Sequence, residues 1–137
     1  MPIEKNSFIL DTNLWISFLI KKNFEKIEEL LFNDNYVLIF SRELLDEFLD
    51  VIQRPKFHKY FSPTNIEVAL EIIIDFSIFI DVSTEVSICR DPKDNYLLSL
   101  AIDSNAKYLV TGDHDLLTLE NINGTKIISM SEFLSQV

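Results

Sequence analysis

Carboxylates that follow short apolar runs are the residues of this chain best suited to chemistry. Asp11 directly follows the apolar run 8–10, and Asp113 and Asp115 follow the run 108–111. Several carboxylates in one place repel each other unless a cation joins them. All-oxygen ligands without His or Cys favour Mg²⁺ or Mn²⁺. Such an ion can activate water and neutralise charge on a phosphodiester, which is the chemistry that this pattern indicates.

Further acids lie in two segments with helical periodicity. Asp94 is near the start of the most apolar helical segment, and four acids lie along the helix predicted after residue 41. On that helix Glu43 and Asp50 lie opposite the apolar stripe, where we expect them to be solvated. Asp46 and Glu47 border the stripe on opposite sides. Periodicity leaves open which of these two faces the strand ends.

Each of these acids also has a purely structural explanation. Asp11 or Asn13 could cap the helix that follows, and Asp113 could cap the turn after it. Asp94 could be the acid at the third position of a capping arrangement, which the helix dipole favours. Judged one at a time, the structural explanations are the more common ones. Their joint occurrence at strand ends and helix starts favours a shared site.

The elements that position these acids are predicted from the alternation of apolar runs and helical stripes. Ser41, Ser62-Pro63 and Asp91-Pro92 are typical helix starts. Strands that alternate with helices indicate an α/β fold with a parallel sheet and right-handed crossovers. If strands one and four are neighbours where the strand order reverses, Asp11 and Asp113 meet in one crevice. The predicted strands are 8–10, 36–40, 76–82, 108–111 and 127–128.

Composition limits the classes of function. At 137 residues we expect a single domain, 1–137, and no apolar run approaches the ~20 residues that span a bilayer. The two Gly residues exclude a glycine-rich phosphate loop, and the single Cys89 cannot form an internal disulfide, which suits the cytoplasm. The net charge of −10 argues against non-specific nucleic-acid binding through a basic surface. It leaves nucleic acid open as a substrate.

Four segments, in this order and at these intervals, resemble the PIN-domain nucleases, and especially the VapC-like PIN toxins of toxin–antitoxin systems. The resemblance covers almost the whole chain. The segments are Leu10-Asp11-Thr12-Asn13, Ser41-x-x-Leu44-Leu45-x-Glu47 with Arg54-Pro55-Lys56-Phe57 beyond it, Arg90-Asp91-Pro92-Lys93-Asp94-Asn95, and Thr111-Gly112-Asp113-x-Asp115-Leu116-Leu117.

The resemblance implies a three-layer α/β/α fold with a five-stranded parallel sheet in the order 3-2-1-4-5. It implies a ribonuclease that depends on Mg²⁺ or Mn²⁺, with RNA as substrate, an antitoxin protein as partner and a homodimer as assembly. It also favours Glu47 over Asp46. Carried over by motif, the implied catalytic and metal-binding residues are Asp11, Glu47, Asp94 and Asp113, with Asp115 as a further ligand and Asn13 and Thr111 as supporting residues.

The sequence argues against two alternatives to a nuclease. A phosphoacceptor receiver domain needs an acidic pair after strand one, where this chain has Asp11-Thr12-Asn13. A PIN fold that only binds partners is opposed by the complete acid set. His114 is expected to be an exposed loop residue. Trp15, with Phe18 and Leu19, is expected in the core rather than in a partner groove.

Overall fold

A computed structural model of the protein describes residues 6–21, 25–33 and 35–136. Within these ranges six strands form one sheet in the order β3-β2-β1-β4-β6-β5, and helices cover its sides. All neighbouring strands are parallel except β5 and β6, which are antiparallel. The strands are β1 (Asn6–Leu10), β2 (Tyr36–Phe40), β3 (Ser77–Phe79), β4 (Tyr108–Val110), β5 (Asn121–Ile122) and β6 (Thr125–Ile128).

The predicted order 3-2-1-4-5 is confirmed, because the strand predicted at 127–128 is β6 and lies beside β4. The prediction of five parallel strands omitted β5, which forms a hairpin with β6. Its turn contains Asn123 and Gly124, with φ angles of 47° and 89°. Asn-Gly is typical of two-residue hairpin turns, which require positive φ at both positions. Because β5 has only two residues and no apolar run, the Asn-Gly dipeptide is the sequence signal that could have indicated the hairpin.

The third strand is shorter than the predicted run 76–82. Phe76 ends the preceding helix, and β3 pairs only with β2, as an edge strand. The Ile80 N–H still donates to the Phe40 carbonyl at 2.9 Å, but β2 ends at Phe40. Beyond that point the described residues offer no further strand with which the chain can pair. An apolar run alone cannot indicate where its partner strand ends.

The predicted helix starts at Ser41, Ser62 and Asp91 are confirmed, since each side chain accepts a hydrogen bond from a backbone N–H two or three residues ahead. None of the helices in the described ranges has both the length and the apolar character needed to cross a membrane. The helices are α1 (Thr12–Lys21), α2 (Glu25–Phe32), α3 (Arg42–Ile52), α4 (Pro63–Phe76), α5 (Pro92–Ser104), α6 (His114–Leu117) and α7 (Met130–Leu134), with a 3₁₀ turn at Pro55–Phe57.

Trp15 links the first helix to the sheet and to α3. Its side chain is 1% exposed, and its ring lies 6.3 Å from that of Phe40 and 6.4 Å from that of Phe48. The expectation that Trp15 belongs to the core is correct, and Phe18 and Leu19 pack against that core half-buried. Aromatic edge-to-face contacts of this kind hold helices at a defined distance. They place the start of α1 and the middle of α3 beside each other at the sheet.

Candidate metal centre

The carboxyl ends of β1 and β4 lie side by side and carry the first two polar side chains of the site. Leu10 is in register with Val110, and the next backbone N–H, that of Asp11, donates to the Val110 carbonyl at 3.0 Å. Asp11 is 3% exposed and Thr111 is fully buried. The Thr111 hydroxyl donates to Oδ2 of Asp11 at 2.7 Å. A buried, ionisable side chain is therefore held at the point where the strand order reverses.

The Thr111 hydroxyl connects Asp11 to Asp113. It accepts a hydrogen bond from the Asp113 N–H at 3.0 Å while it donates to Asp11. Oδ1 of Asp11 accepts from the Asn13 backbone N–H at 3.2 Å, and the side chain of Asn13 is exposed. Asp11 is therefore oriented by a side-chain hydroxyl on one oxygen and by backbone on the other.

Asp94, Asp113 and Asp115 form a three-carboxylate group. One oxygen from each lies within 4.8 Å of the others. Asp94 is buried at 3% exposure, whereas the side chain of Asp115 is 45% exposed. Asp113 also caps α6, because its Oδ1 accepts from the Asp115 N–H at 2.8 Å. Asp113 is therefore a helix cap as well as a member of this group. The neighbouring His114 is exposed as expected, but it is the first residue of α6 rather than a loop residue.

The electrostatics of this group suit a cation. The pKa of Asp94 is raised from 3.8 to about 6, first by burial and then by the charge of Asp113 and a hydrogen bond with it. Asp91 and Asp11 raise the pKa of Asp94 further. A carboxylate whose neighbours favour a bound proton also favours a bound metal ion in its place. Because all the donors are carboxylate oxygens, the group fits Mg²⁺ or Mn²⁺.

The structure does not bring all the predicted acids together. Within the described part of the chain, the three-carboxylate group includes neither Asp11 nor Glu47. Glu47 is half-buried on α3, and its Oε1 lies 3.1 Å from Nζ of Lys93 at the start of α5. Asp46 is exposed. Of the two acids that border the stripe of α3, Glu47 is therefore the one turned toward α5.

Tyr96 joins α5 to α3, and sequence reasoning counted it only as part of an apolar helix. Its hydroxyl donates to Oε2 of Glu43 at 2.9 Å and is hydrogen-bonded to the Ser41 hydroxyl. Burial raises the pKa of Tyr96 to about 12, so the hydroxyl keeps its proton and remains a donor. These bonds set the distance between the first turn of α5, with Asp94, and the start of α3.

Asn95 fixes the connection that enters α5. Its side-chain carbonyl accepts from the Cys89 N–H at 2.7 Å, and its amide donates to the Cys89 carbonyl at 2.9 Å. Burial raises the pKa of the Cys89 thiol, and the carboxylates of the site raise it further, so the thiol is neutral. Arg90, the next residue, lies 3.3 Å from Oδ2 of Asp115. The segment before α5 is thereby anchored beside the acids.

The metal-free protein should become more stable at neutral pH when Asp94 is replaced by Asn. Between the unfolded pKa of 3.8 and the folded pKa of about 6, the folded state binds more protons, so the free energy of unfolding falls as pH rises through this range. At about 1.36 kcal/mol per pKa unit, we expect Asp94→Asn to gain roughly 1–3 kcal/mol at pH 7.5. Below pH 4 the gain should be lost.

Thermal unfolding in EDTA at both pH values measures this gain. The control is Asp46→Asn, which makes the same chemical change at an exposed position. A melting temperature of Asp94→Asn at or below that of the wild type at pH 7.5 would contradict the raised pKa of Asp94, which burial causes first and the charge of Asp113 second.

Comparison with known proteins identifies relatives in sequence. A profile of the PIN domain matches residues 7–115. The uncharacterized protein MJ1680 from Methanocaldococcus jannaschii is 34% identical over 122 residues, which make up 87% of this chain and 78% of that protein.

Two solved structures have a similar fold. VapBC2 from Rickettsia felis, bound to a DNA fragment from their promoter, gives a TM-score of 0.57 at 20% identity, over 90% of this chain and 98% of that chain. PAE2754 from Pyrobaculum aerophilum gives a TM-score of 0.59 at 13% identity, over 95% of this chain and 88% of that chain. At these identities the likeness is one of fold.

Proposed function

Because the chain belongs to the PIN-domain family, we propose that it is a ribonuclease that hydrolyses phosphodiester bonds with the help of Mg²⁺ or Mn²⁺. The observation that carries this proposal is the group of Asp94, Asp113 and Asp115 oxygens within 4.8 Å of one another at the carboxyl ends of the strands. Buried Asp11 lies next to this group. Family membership also removes the receiver-domain alternative.

The acids of the site have different roles in binding the metal ion. Asp94, Asp113 and Asp115 present convergent oxygens, and Asp11 adds a buried carboxylate that Thr111 orients. Glu47, half-buried on α3 and paired with Lys93 next to Asp94, is the further ligand that we propose from that helix. When bound, Mg²⁺ or Mn²⁺ would supply an acidified water and would neutralise negative charge on the scissile phosphate. The protein's own part is electrostatic preorganisation, because these carboxylates are fixed before the substrate arrives.

The deciding experiment is cleavage of a labelled single-stranded RNA by the purified protein in Mg²⁺, in Mn²⁺ and in EDTA. We expect cleavage with either ion and none in EDTA, because hard oxygen ligands need a hard cation to act on a phosphodiester. Equal cleavage in chelator would exclude the mechanism. Binding of metal and RNA without cleavage would instead favour a PIN fold that serves only as a binding module.

We further propose that the protein is the toxin of a toxin–antitoxin pair and forms a homodimer. The resemblance to VapC-like toxins supports both proposals. The shared fold with VapBC2, which was solved bound to DNA from their promoter, supports the antitoxin partner alone. Co-expression with the products of the neighbouring genes, followed by co-purification, tests the antitoxin, and purification of this chain alone would contradict it. Light scattering at micromolar concentration tests the homodimer, and a result of monomer alone would remove it.

A further inference from the structure

A lysine lies between the acids of the candidate site and has no role in the proposed metal chemistry. Lys93 is the second residue of α5, one position before Asp94. Its Nζ lies 3.1 Å from Oε1 of Glu47, and the two side chains are 27% and 28% exposed. The pair therefore crosses from α5 to α3 at the edge of the acid group.

This ion pair is more enclosed than the other ion pairs of the described residues. Arg54 and Asp50 are 53% and 75% exposed, and Arg90, opposite Asp115, is 90% exposed. Exposed pairs are screened by water and contribute little, whereas enclosed pairs interact more strongly. The Lys93–Glu47 pair should therefore persist in solution when no metal ion is bound.

The pair accounts for the position of Glu47. Its carboxylate is bound to the Lys93 ammonium and is not part of the group formed by Asp94, Asp113 and Asp115. Lys93 directly precedes Asp94 on α5. If Glu47 joins that group as a metal ligand, as in the proposed function, a divalent cation there would compete with the ammonium for the Glu47 carboxylate. The ammonium would then lose its partner while the first turn of α5 still holds it beside the site. Its charge would need another anion within reach.

We propose that Lys93 is a substrate-binding residue whose ammonium contacts a phosphate of the RNA backbone in the metal-bound protein, where Glu47 would serve as a metal ligand. This inference rests on the proposed ribonuclease function and deepens it, because it identifies how a protein of net charge −10 attracts a polyanion at its acidic site. In the metal-free protein the ammonium is bound to Glu47, and the acids repel phosphate. With metal bound, the site offers both a divalent ion and a freed ammonium, so RNA and metal bind cooperatively.

The first test measures metal binding without RNA. Lys93→Gln removes a cation that competes for Glu47 and repels the ion, so we expect Mn²⁺ to bind roughly three- to tenfold tighter by calorimetry at constant ionic strength. Lys126→Gln is the control, because Lys126 is exposed on β6 and pairs in register with Tyr108, at the opposite end of β4 from the acids. Unchanged or weaker Mn²⁺ binding by Lys93→Gln would overturn the proposal.

The second test measures RNA binding by fluorescence anisotropy at several salt concentrations, once in Ca²⁺ and once in EDTA. A gel run after each Ca²⁺ titration checks that the RNA is intact. In Ca²⁺, Lys93→Gln should bind RNA more weakly, and the negative slope of log affinity against log salt should become less negative by about 0.7, as for one lost phosphate contact on a single strand. Lys93→Arg should restore the slope. In EDTA, Lys93→Gln and wild type should not differ.

A lysine that only tethered α5 to α3 would change the melting temperature and leave the salt slope unaltered. A wild-type slope for Lys93→Gln in Ca²⁺ would therefore refute the phosphate contact. Neither measurement requires turnover. A protein that cleaved no RNA would contradict the proposed function, while both binding results would still be interpretable.

Discussion

Cleavage of RNA in saturating Mn²⁺ is expected to fall by roughly 10³-fold when Asp11 is replaced by Asn, the scale of a lost electrostatic contact in the transition state. Asp11 is 3% exposed and lies at the end of β1 beside the three-carboxylate group. Its two oxygens accept from the Thr111 hydroxyl at 2.7 Å and from the Asn13 N–H at 3.2 Å. The substitution keeps the size of the side chain and removes its charge.

The fold should survive this change. Oδ1 of an asparagine can still accept from the Asn13 N–H, and its amide can donate to the Thr111 hydroxyl, which is able to accept. Relief of carboxylate repulsion can even raise the melting temperature of the metal-free protein. Single-turnover kinetics measure the cleavage rate, and circular dichroism checks that the variant is folded.

The matched control for this loss is Asp50→Asn. Asp50 lies in the last turn of α3, is 75% exposed, and its Oδ2 lies 3.3 Å from Nη2 of Arg54. Its substitution should leave the cleavage rate unchanged. A fully active, folded Asp11→Asn protein would show that the buried carboxylate takes no part in catalysis.

Glu47→Gln should lower the cleavage rate by roughly 10²-fold or more, because it removes charge from the α3 side of the crevice. Glu47 is half-buried and bound to Lys93, whereas its neighbour Asp46 is exposed. Asp46→Asn should therefore change stability by less than about 0.5 kcal/mol and leave the rate alone. The two variants make the same chemical change, from carboxylate to amide, at adjacent positions.

Rates for both variants are compared at saturating Mn²⁺, with the Mn²⁺ affinity measured separately. Glu47→Gln should also weaken metal binding, since a ligand is lost. An inactive Asp46→Asn protein beside an active Glu47→Gln protein would show that the motif resemblance is displaced by one residue along α3. The site assignment would then be wrong.

Much of the fold could be predicted from the sequence because its signals are local. The run 8–10 is buried on both faces of a parallel sheet, so it is continuously apolar and reads as a strand. Ser41 and Asp91 cap helices through bonds to N–H groups two or three residues away, which the chain order alone specifies. The extent of β3 was not predictable, because it depends on where the neighbouring strand ends.

The sequence singled out Asp94, Asp113 and Asp115 through their motifs, and the structure brings one oxygen of each within 4.8 Å of the others. Their arrangement was decided by the tertiary structure. Asp94 and Asp113 are close because α5 packs back toward β4, and the buried position that results raises the pKa of Asp94 to about 6. Burial and mutual repulsion are properties of the assembled site, so neither can be read from the order of residues.

The contacts between α3 and α5 also separate what the sequence determines from what the tertiary structure determines. Helical periodicity placed Asp46 and Glu47 on opposite borders of one apolar stripe. It could not decide which of them faces α5, because a helix wheel contains no information about the elements that pack on either side. Packing brought Lys93 to Glu47 and Tyr96 to Glu43, pairs separated by more than forty positions in the printed sequence. Sequence by itself determined which side chains α3 can offer at each border. The packing of α3 against α5 decided which of these side chains has a partner. The relative orientation of two distant helices is set by the hydrophobic core between them, so it cannot be derived from the border residues alone.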